Sequence, residues 1–258
     1  MINEDTIVPK MIFIIPYRNR QEEQINFIFQ MNKLLDCVNK TEYSFYFIHQ
    51  CDDRDFCRGA LKNIGFLMVK NKYPYCYKNI TLIFNDIDTF PKDKNIIYDY
   101  STVPGIIKHF YGYSFALGGI VSTTCGDFES INGFPNYWSW GFEDNLLNQR
   151  ALKANLIIDR SVFYKANDSR ITQINSSNTR IVNKAEFERY IKRNTEGIQS
   201  IQNLQYTIDG IFVNVSNFNT EYTCNQQLNT TYDVRNIDPP FSVGYSSSRR
   251  SSMNLIHS

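Results

Sequence analysis

Apolar residues along this chain come in short runs that switch between two periods. Met11 to Pro16 (MIFIIP) is continuously apolar, the pattern of a strand buried on both faces. From Gln21 to Cys37, Ile25, Ile28, Phe29 and Leu35 recur at helical spacing and predict a helix with that stripe turned inward. Tyr43 to His49 alternates as a second strand, and Asp55 to Lys70 reads as a second helix with Leu61, Ile64, Gly65 and Met68 inward. Ile80 to Phe84 is a further strand, Gly118 to Thr123 begins another, and Leu146 to Ala154 is helical. Strands and helices in alternation imply an α/β fold of parallel strands with crossover helices. From Asn225 the chain turns polar and ends SVGYSSSRRSSMNLIHS, with little to bury. The expected division is a folded domain over 1–224 and a polar, mobile tail over 225–258.

Composition narrows the class. A chain of 258 residues with 15% aromatics can bury a sizeable core. Lys+Arg at 27 against Asp+Glu at 26 leaves almost no net charge, which argues against a general nucleic-acid binder. Richness in Asn, Ile, Lys, Tyr and Phe is what AT-rich codons, such as those of some viral genomes, produce. The start, MINEDTIVPK, is polar, and no apolar stretch approaches the ~20 residues that cross a bilayer. A cytoplasmic location is therefore expected, that of the host if the genome is viral. The six cysteines show no CxxC pair, in keeping with reduced thiols.

Three segments carry chemistry. In INGFPNYWSWGFEDN, Trp138 and Trp140 precede Glu143 and Asp144. Flat aromatic surfaces beside carboxylates suit holding a sugar ring and taking a proton from its hydroxyl. The pair opens a helix, whose positive end favours the ionised carboxylate that a base needs. In FNDIDTFP, Asp86 and Asp88 flank one isoleucine, and two carboxylates on one side of an extended segment suit a hard cation, Mn²⁺ or Mg²⁺, and through it a diphosphate. In MIFIIPYRNR, a strand ends on Arg18, Asn19 and Arg20. Each follows an apolar run, where open α/β sheets place ligands. Together they point to a nucleotide-sugar glycosyltransferase, with a transferase-derived sugar-binding module or a nucleotide-sugar hydrolase as the alternatives.

In sequence and order the segments resemble the catalytic domain of the β-1,4-galactosyltransferase family, inverting transferases of GT-A fold, from about Met11 to Thr223. IIPYRNR is similar to the family's uridine-binding segment, DFCRGALKNIGF to its next helix, FNDIDTFPKD to its metal segment, and ALGGIVSTTCGDFESINGFPNYWSWGFEDN to its longest block. NKAEFERYIKRNTEGIQSIQNLQYTI resembles the closing helix and strand. The resemblance implies a UDP-sugar donor, a carbohydrate acceptor and a divalent cation. It implies Asp144 as the base, Asp88 on the metal, and Asp86 on the ribose or the metal's water shell. Pro16, Arg18, Asn19, Arg20, Phe56, Arg58 and Lys108 would face uridine and phosphates. Ala116, Gly118 and Gly119 would line the donor sugar, and Trp138, Trp140, Glu143 and Asn145 the acceptor.

There are three departures from the family pattern. Where relatives place a metal-binding histidine, residues 163–167 read FYKAN, with Asn167 or Asp168 left to offer an oxygen. Where relatives continue the acidic run, Asn145 presents an amide. At the position where the family carries a tyrosine that crowds the C2 substituent of the donor sugar stands Ala116, which would admit an N-acetylhexosamine unless Phe115 or Tyr113 fills the gap.

Overall fold

The computed structural model describes residues 7–174, 178–192, 195–223 and 225–234. In chain order the elements are β1 (Met11–Tyr17), α1 (Gln21–Leu34), β2 (Tyr43–Gln50), α2 (Arg58–Lys72), β3 (Thr81–Asn85), β4 (Thr89–Pro91), β5 (Ile106–Gly112) and β6 (Ile120–Thr124). They continue with α3 (Cys125–Ser130), α4 (Glu143–Lys153), β7 (Ile157–Asp159), β8 (Tyr164–Lys165), β9 (Ile171–Gln173) and β10 (Thr179–Asn183). The last are α5 (Lys184–Lys192), β11 (Gln202–Asp209), β12 (Phe212–Asn219) and β13 (Asn229–Asp233).

The main sheet runs β11-β12-β2-β1-β3-β6-β5-β7, with β8 also on β5. Its centre is parallel, with β1 between β2 (Phe13 opposite Phe45) and β3 (Phe13 opposite Ile83). The sheet is mixed rather than all parallel, because β6 is antiparallel to both β3 and β5. The reason is the connection: residues 113–119 join β5 to β6 with no helix between them, too short for a crossover. That loop carries Ala116, Gly118 and Gly119.

β1 explains the two-layer core. Its successive side chains point to opposite faces, so Ile12 and Ile14 join Leu61, Ile64 and Met68 of α2, while Phe13 and Ile15 join Phe27 and Met31 of α1. All are fully buried, which accounts for the unbroken apolar run. The α1 stripe differs from the expected one. Phe27, Met31 and Leu34, spaced i, i+4, i+7, face the sheet, whereas Ile25 and Phe29 are 58% and 66% exposed. Apolar residues on two sides of this helix leave the choice to sheet packing.

The segment after Asn225 also departs from expectation. A 3₁₀ turn at Gln226–Leu228 and strand β13, antiparallel to β10, fold residues 225–234 onto the body. Asn183, buried, donates to Asn229 Oδ1 (3.0 Å) and to the Asn225 carbonyl (3.1 Å), which fixes the segment. Residues 235–258 lie outside the described residues. Among those described, no helix is long and apolar enough to cross a membrane, and Cys37, Cys51, Cys57, Cys76 and Cys125 are free thiols.

Candidate active site

β1, β2 and β3 run parallel and end side by side, and the segments after them carry Arg18 to Arg20, Asp52 to Arg58, and Asp86 to Asp88. Arg58 opens α2 and holds carboxylates from two other segments. Its Nη1 donates to Asp86 Oδ2 (3.1 Å), Nε to Glu143 Oε1 (3.0 Å) and Nη2 to Asp144 Oδ2 (3.3 Å). One turn along α2, the buried Lys62 donates to Asp144 Oδ1 (3.4 Å), its ammonium 4.3 Å from the Phe134 ring centroid. Burial opposes the charge on Arg58, but Asp86, Glu143 and Asp144 outweigh it and hold its pKa well above the ordinary range. Burial pushes Asp86 and Glu143 up, against the downward pull of Arg58 and Lys62. Glu143 is 3% exposed, and its second oxygen has no hydrogen-bond partner among the described residues, so it can accept from a ligand hydroxyl.

Asp86 and Asp88 do not lie on an extended segment. β3 ends at Asn85, and residues 87–88 form a turn closed by Thr89 N donating to the Asp86 carbonyl (3.1 Å). The turn sends the two carboxylates to different arginines, Asp86 to Arg58 and Asp88 to Arg20 Nη1 (2.9 Å). Arg20 also donates to Glu23 (3.1 Å). Arg18 lies over Phe56, 5.3 Å from the ring centroid, and donates to the Arg54 carbonyl (2.6 Å). Pro16 is buried, and Asn19, at φ +53°, is exposed to solvent. Lys108 is not part of this cluster. It pairs with Asp99 (2.9 Å) and lines a separate polar pocket with Asp159, Ser161 and Tyr98. Strand alternation decides this, since the next residue, His109, faces inward.

The β5–β6 loop positions Asp144. Leu117 N donates to the Asp144 carbonyl (2.9 Å), and a Cβ at Gly118 would stand 2.3 Å from Asp144 Oδ2, so only glycine leaves room for the carboxylate. His109 braces the same loop: its Nε2 lies 3.0 Å from the Tyr111 carbonyl and 3.1 Å from that of Gly118, while Nδ1 accepts from Arg160 Nε (3.1 Å). These partners assign a neutral ring protonated at Nε2. Burial, then Arg160, pulls its pKa down to about 4. Ala116 is buried, whereas Tyr113 and Phe115 stack on each other at 59% and 63% exposure rather than folding in over it.

The two tryptophans part company. Trp138 is buried, stacked on Phe218 (5.3 Å, 4°), with Nε1 donating to Thr220 Oγ1 (2.8 Å); it belongs to the core and offers no open face, contrary to its reading as an acceptor platform. Trp140 is half-buried, near parallel to Tyr232. Asn145, partly exposed, follows Asp144 in the first turn of α4.

A divalent cation fits only in part. No cluster of three or more acidic, His or Cys side chains suited to a metal occurs among the described residues. Asp168 is drawn away by Arg170, whose hydrogen bonds hold its carboxyl down at about 2. Two carboxylates, Asp86 and Asp88, remain, a donor set that suits a hard cation completed by phosphates and water. Sequence reading missed Lys62, although its i+4 spacing from Arg58 was visible; no local signal marks His109, Arg160 or Tyr232.

The fold is that of a GT-A glycosyltransferase catalytic domain. Residues 5–101 match the N-terminal region of glycosyl transferase group 7, and residues 107–175 the N-terminal domain of galactosyltransferase. The chain belongs to the β-1,4-galactosyltransferase family. It is 32% identical to Mus musculus β-1,4-galactosyltransferase 1 over 167 residues, 61% of this chain and 40% of that protein. It is 28% identical to Rattus norvegicus β-1,4-galactosyltransferase 6 over 220 residues, 80% of this chain and 56% of that protein. It thus spans about half the length of these relatives. In fold it is similar to the catalytic domain of Drosophila β-1,4-galactosyltransferase 7 in complex with xylobiose, at TM-score 0.61, 21% identity and coverage of 81% of this chain and 94% of that one. A mutant of the same protein in complex with manganese, UDP-Gal and xylobiose gives a TM-score of 0.59 at 20% identity, again covering 81% and 94% of the two chains.

Proposed function

We propose that the chain transfers a hexose or N-acetylhexosamine from a UDP-sugar to a hydroxyl of a carbohydrate acceptor, with inversion. The observation that carries this reading is the convergence of Asp86, Glu143 and Asp144 on Arg58, with Lys62 behind. It sets a carboxylate, cations and a buried acceptor oxygen in one cluster at the strand ends.

In this reading Asp144 takes the proton of the attacking hydroxyl. The hydroxyl oxygen bonds to the anomeric carbon as the bond to the diphosphate breaks on the opposite face, and UDP leaves with the electron pair. No covalent intermediate on the protein is required. Arg58 and Lys62 hold the Asp144 carboxylate in place until the hydroxyl arrives, and Gly118 keeps its space open. Arg18 on Phe56 offers a flat cation for uridine, with Pro16 and Asn19 in the same segment, and Arg20 and Arg58 face the phosphates. A cation held by Asp88, with Asp86 beside it, would offset the charge that gathers on the leaving diphosphate. Trp140, Glu143 and Asn145 meet the acceptor, with Trp138 supporting their loop from the core. Lys108, paired elsewhere, has no part.

The Drosophila mutant was solved with manganese, UDP-Gal and xylobiose together, which supports the same chemistry here. The test is UDP release from a panel of UDP-sugars with and without acceptor sugars. Release only with an acceptor supports transfer. Equal release without one means hydrolysis, and acceptor binding without release means a sugar-binding module.

A further inference from the structure

The β10–β13 ribbon meets the site from a part of the chain beyond both matched stretches, which end at residue 175. In its register Arg180 is directly opposite Tyr232, so the two side chains leave the ribbon on the same face. Both reach Trp140. The Tyr232 ring lies 18° from parallel to the indole with centroids 6.1 Å apart, and the Arg180 guanidinium stands 6.0 Å from the indole centroid. The backbone is joined too, as Trp140 N donates to the Ile181 carbonyl (2.8 Å). At its other end β13 is fixed by Asn229 Nδ2 donating to Asp55 Oδ2 (2.7 Å), one residue from Phe56. Arg180 sits within the field of the carboxylate cluster: burial, then Arg58, lowers its pKa, while Asp88 and Asp86 act in the opposite direction.

We propose that Tyr232 is a positioning residue for the acceptor side of the site, acting through Trp140: with Arg180 it fixes the plane of the indole that receives the apolar face of the acceptor sugar. The assignment rests on the transferase reading above. An indole on an irregular loop can tilt about two side-chain torsions, and its tilt sets which way the flat face is presented. The ring of Tyr232 limits that freedom from one side and the Ile181 carbonyl fixes the backbone from another. A ring contact of this kind carries a factor of about 3 to 10 in binding.

The test uses the full chain, an acceptor sugar that wild type turns over, and Tyr232→Ala, Tyr232→Leu and Tyr232→Phe. The expected result is an acceptor KM about 3- to 10-fold higher for the Ala and Leu variants, with donor KM and UDP affinity unchanged and Tyr232→Phe restored to wild type. The chain has 2 tryptophans and Trp138 is buried, so acrylamide quenching reports on Trp140. Quenching should rise in Tyr232→Ala and not when Trp140→Phe is added. Leu guards against a variant that fails to fold, since it keeps bulk without the ring. Unchanged acceptor KM together with unchanged quenching, or a lower melting temperature with KM intact, overturns the assignment. A wild-type chain that turns over no acceptor overturns the transferase reading instead, and the quenching arm still decides whether Tyr232 holds Trp140.

Discussion

Gly118→Ala is the sharpest probe of how the site is held. The added methyl would stand 2.3 Å from Asp144 Oδ2 and 2.7 Å from its Cγ, where ordinary contact begins near 3.4 Å. The carboxylate must therefore move by about 1 Å, enough to lose the 3.3 Å contact with Arg58 and the 3.4 Å contact with Lys62. A displacement of about 1 Å at a reacting group can cost on the order of 10²-fold in rate. The clash falls on the tip of a side chain rather than on backbone, and the loop backbone at this residue is not left-handed, so the fold persists, although the buried Lys62 loses a carboxylate partner and some stability goes with it. Turnover at saturating donor and acceptor, UDP affinity by calorimetry and the melting temperature separate the cases: kcat should fall on the order of 10²-fold with UDP affinity nearly unchanged and the protein still folded at the assay temperature. Gly119→Ala is the contrast, since at φ +75° its methyl would meet the Tyr111 carbonyl oxygen at 2.4 Å and the fold itself should suffer. Wild-type turnover in a folded Gly118→Ala protein would refute the placement of the base.

Further outcomes follow from the same geometry. Asp144→Asn should lower transfer by ~10²–10⁴ while leaving UDP binding nearly intact, and a variant with wild-type turnover would remove Asp144 from its role. Excess chelator should abolish transfer and Mn²⁺ or Mg²⁺ restore it; full activity in chelator would mean that two carboxylates without the usual histidine form a metal-free site. Ala116→Tyr should lower turnover of UDP-GalNAc and UDP-GlcNAc relative to UDP-galactose and UDP-glucose, and an unchanged ratio would refute the pocket assignment. His109, lowered from 6.5 to about 4, makes the unfolded chain the better proton binder across that interval. Its contribution, on the order of 3 kcal/mol at most, is complete above its unfolded pKa and disappears as pH falls through the interval. Melting temperatures at pH 7.5 and pH 5 should therefore diverge more for wild type than for His109→Gln, and identical pH dependence would contradict the neutral ring.

Much of this was legible in the sequence because the informative groups sit in short runs. MIFIIP, FNDIDTFP and the Glu143–Asp144 pair are each local patterns, and the structure places them together at the ends of parallel strands. What was not legible depends on partners distant in sequence. Trp138 and Trp140 look equivalent in the chain, and only Phe218 and Thr220, about 80 residues later, make one of them core. Ile25 and Phe29 satisfy a helical period as well as Phe27 and Met31 do, so sheet packing chose the face. Lys108 and His109 are neighbours on one strand, and its pleat put the histidine, not the lysine, behind the site. Polar composition suggested a free tail from Asn225, but Asn183 and Asp55 supply hydrogen bonds that fold its first part without needing apolar burial.

In the proposed mechanism, Asp144 directs an acceptor hydroxyl to displace UDP from the opposite face of the donor sugar. The decisive measurement is the anomeric configuration of the product by proton NMR, with product mass recorded alongside, from a UDP-α-sugar and an acceptor sugar. The expected product is heavier by one hexose or N-acetylhexosamine, is joined by a β linkage, and forms ~10²–10⁴-fold more slowly when Asp144→Asn is used. An α-linked product, or free sugar formed at the same rate without acceptor, would contradict this mechanism.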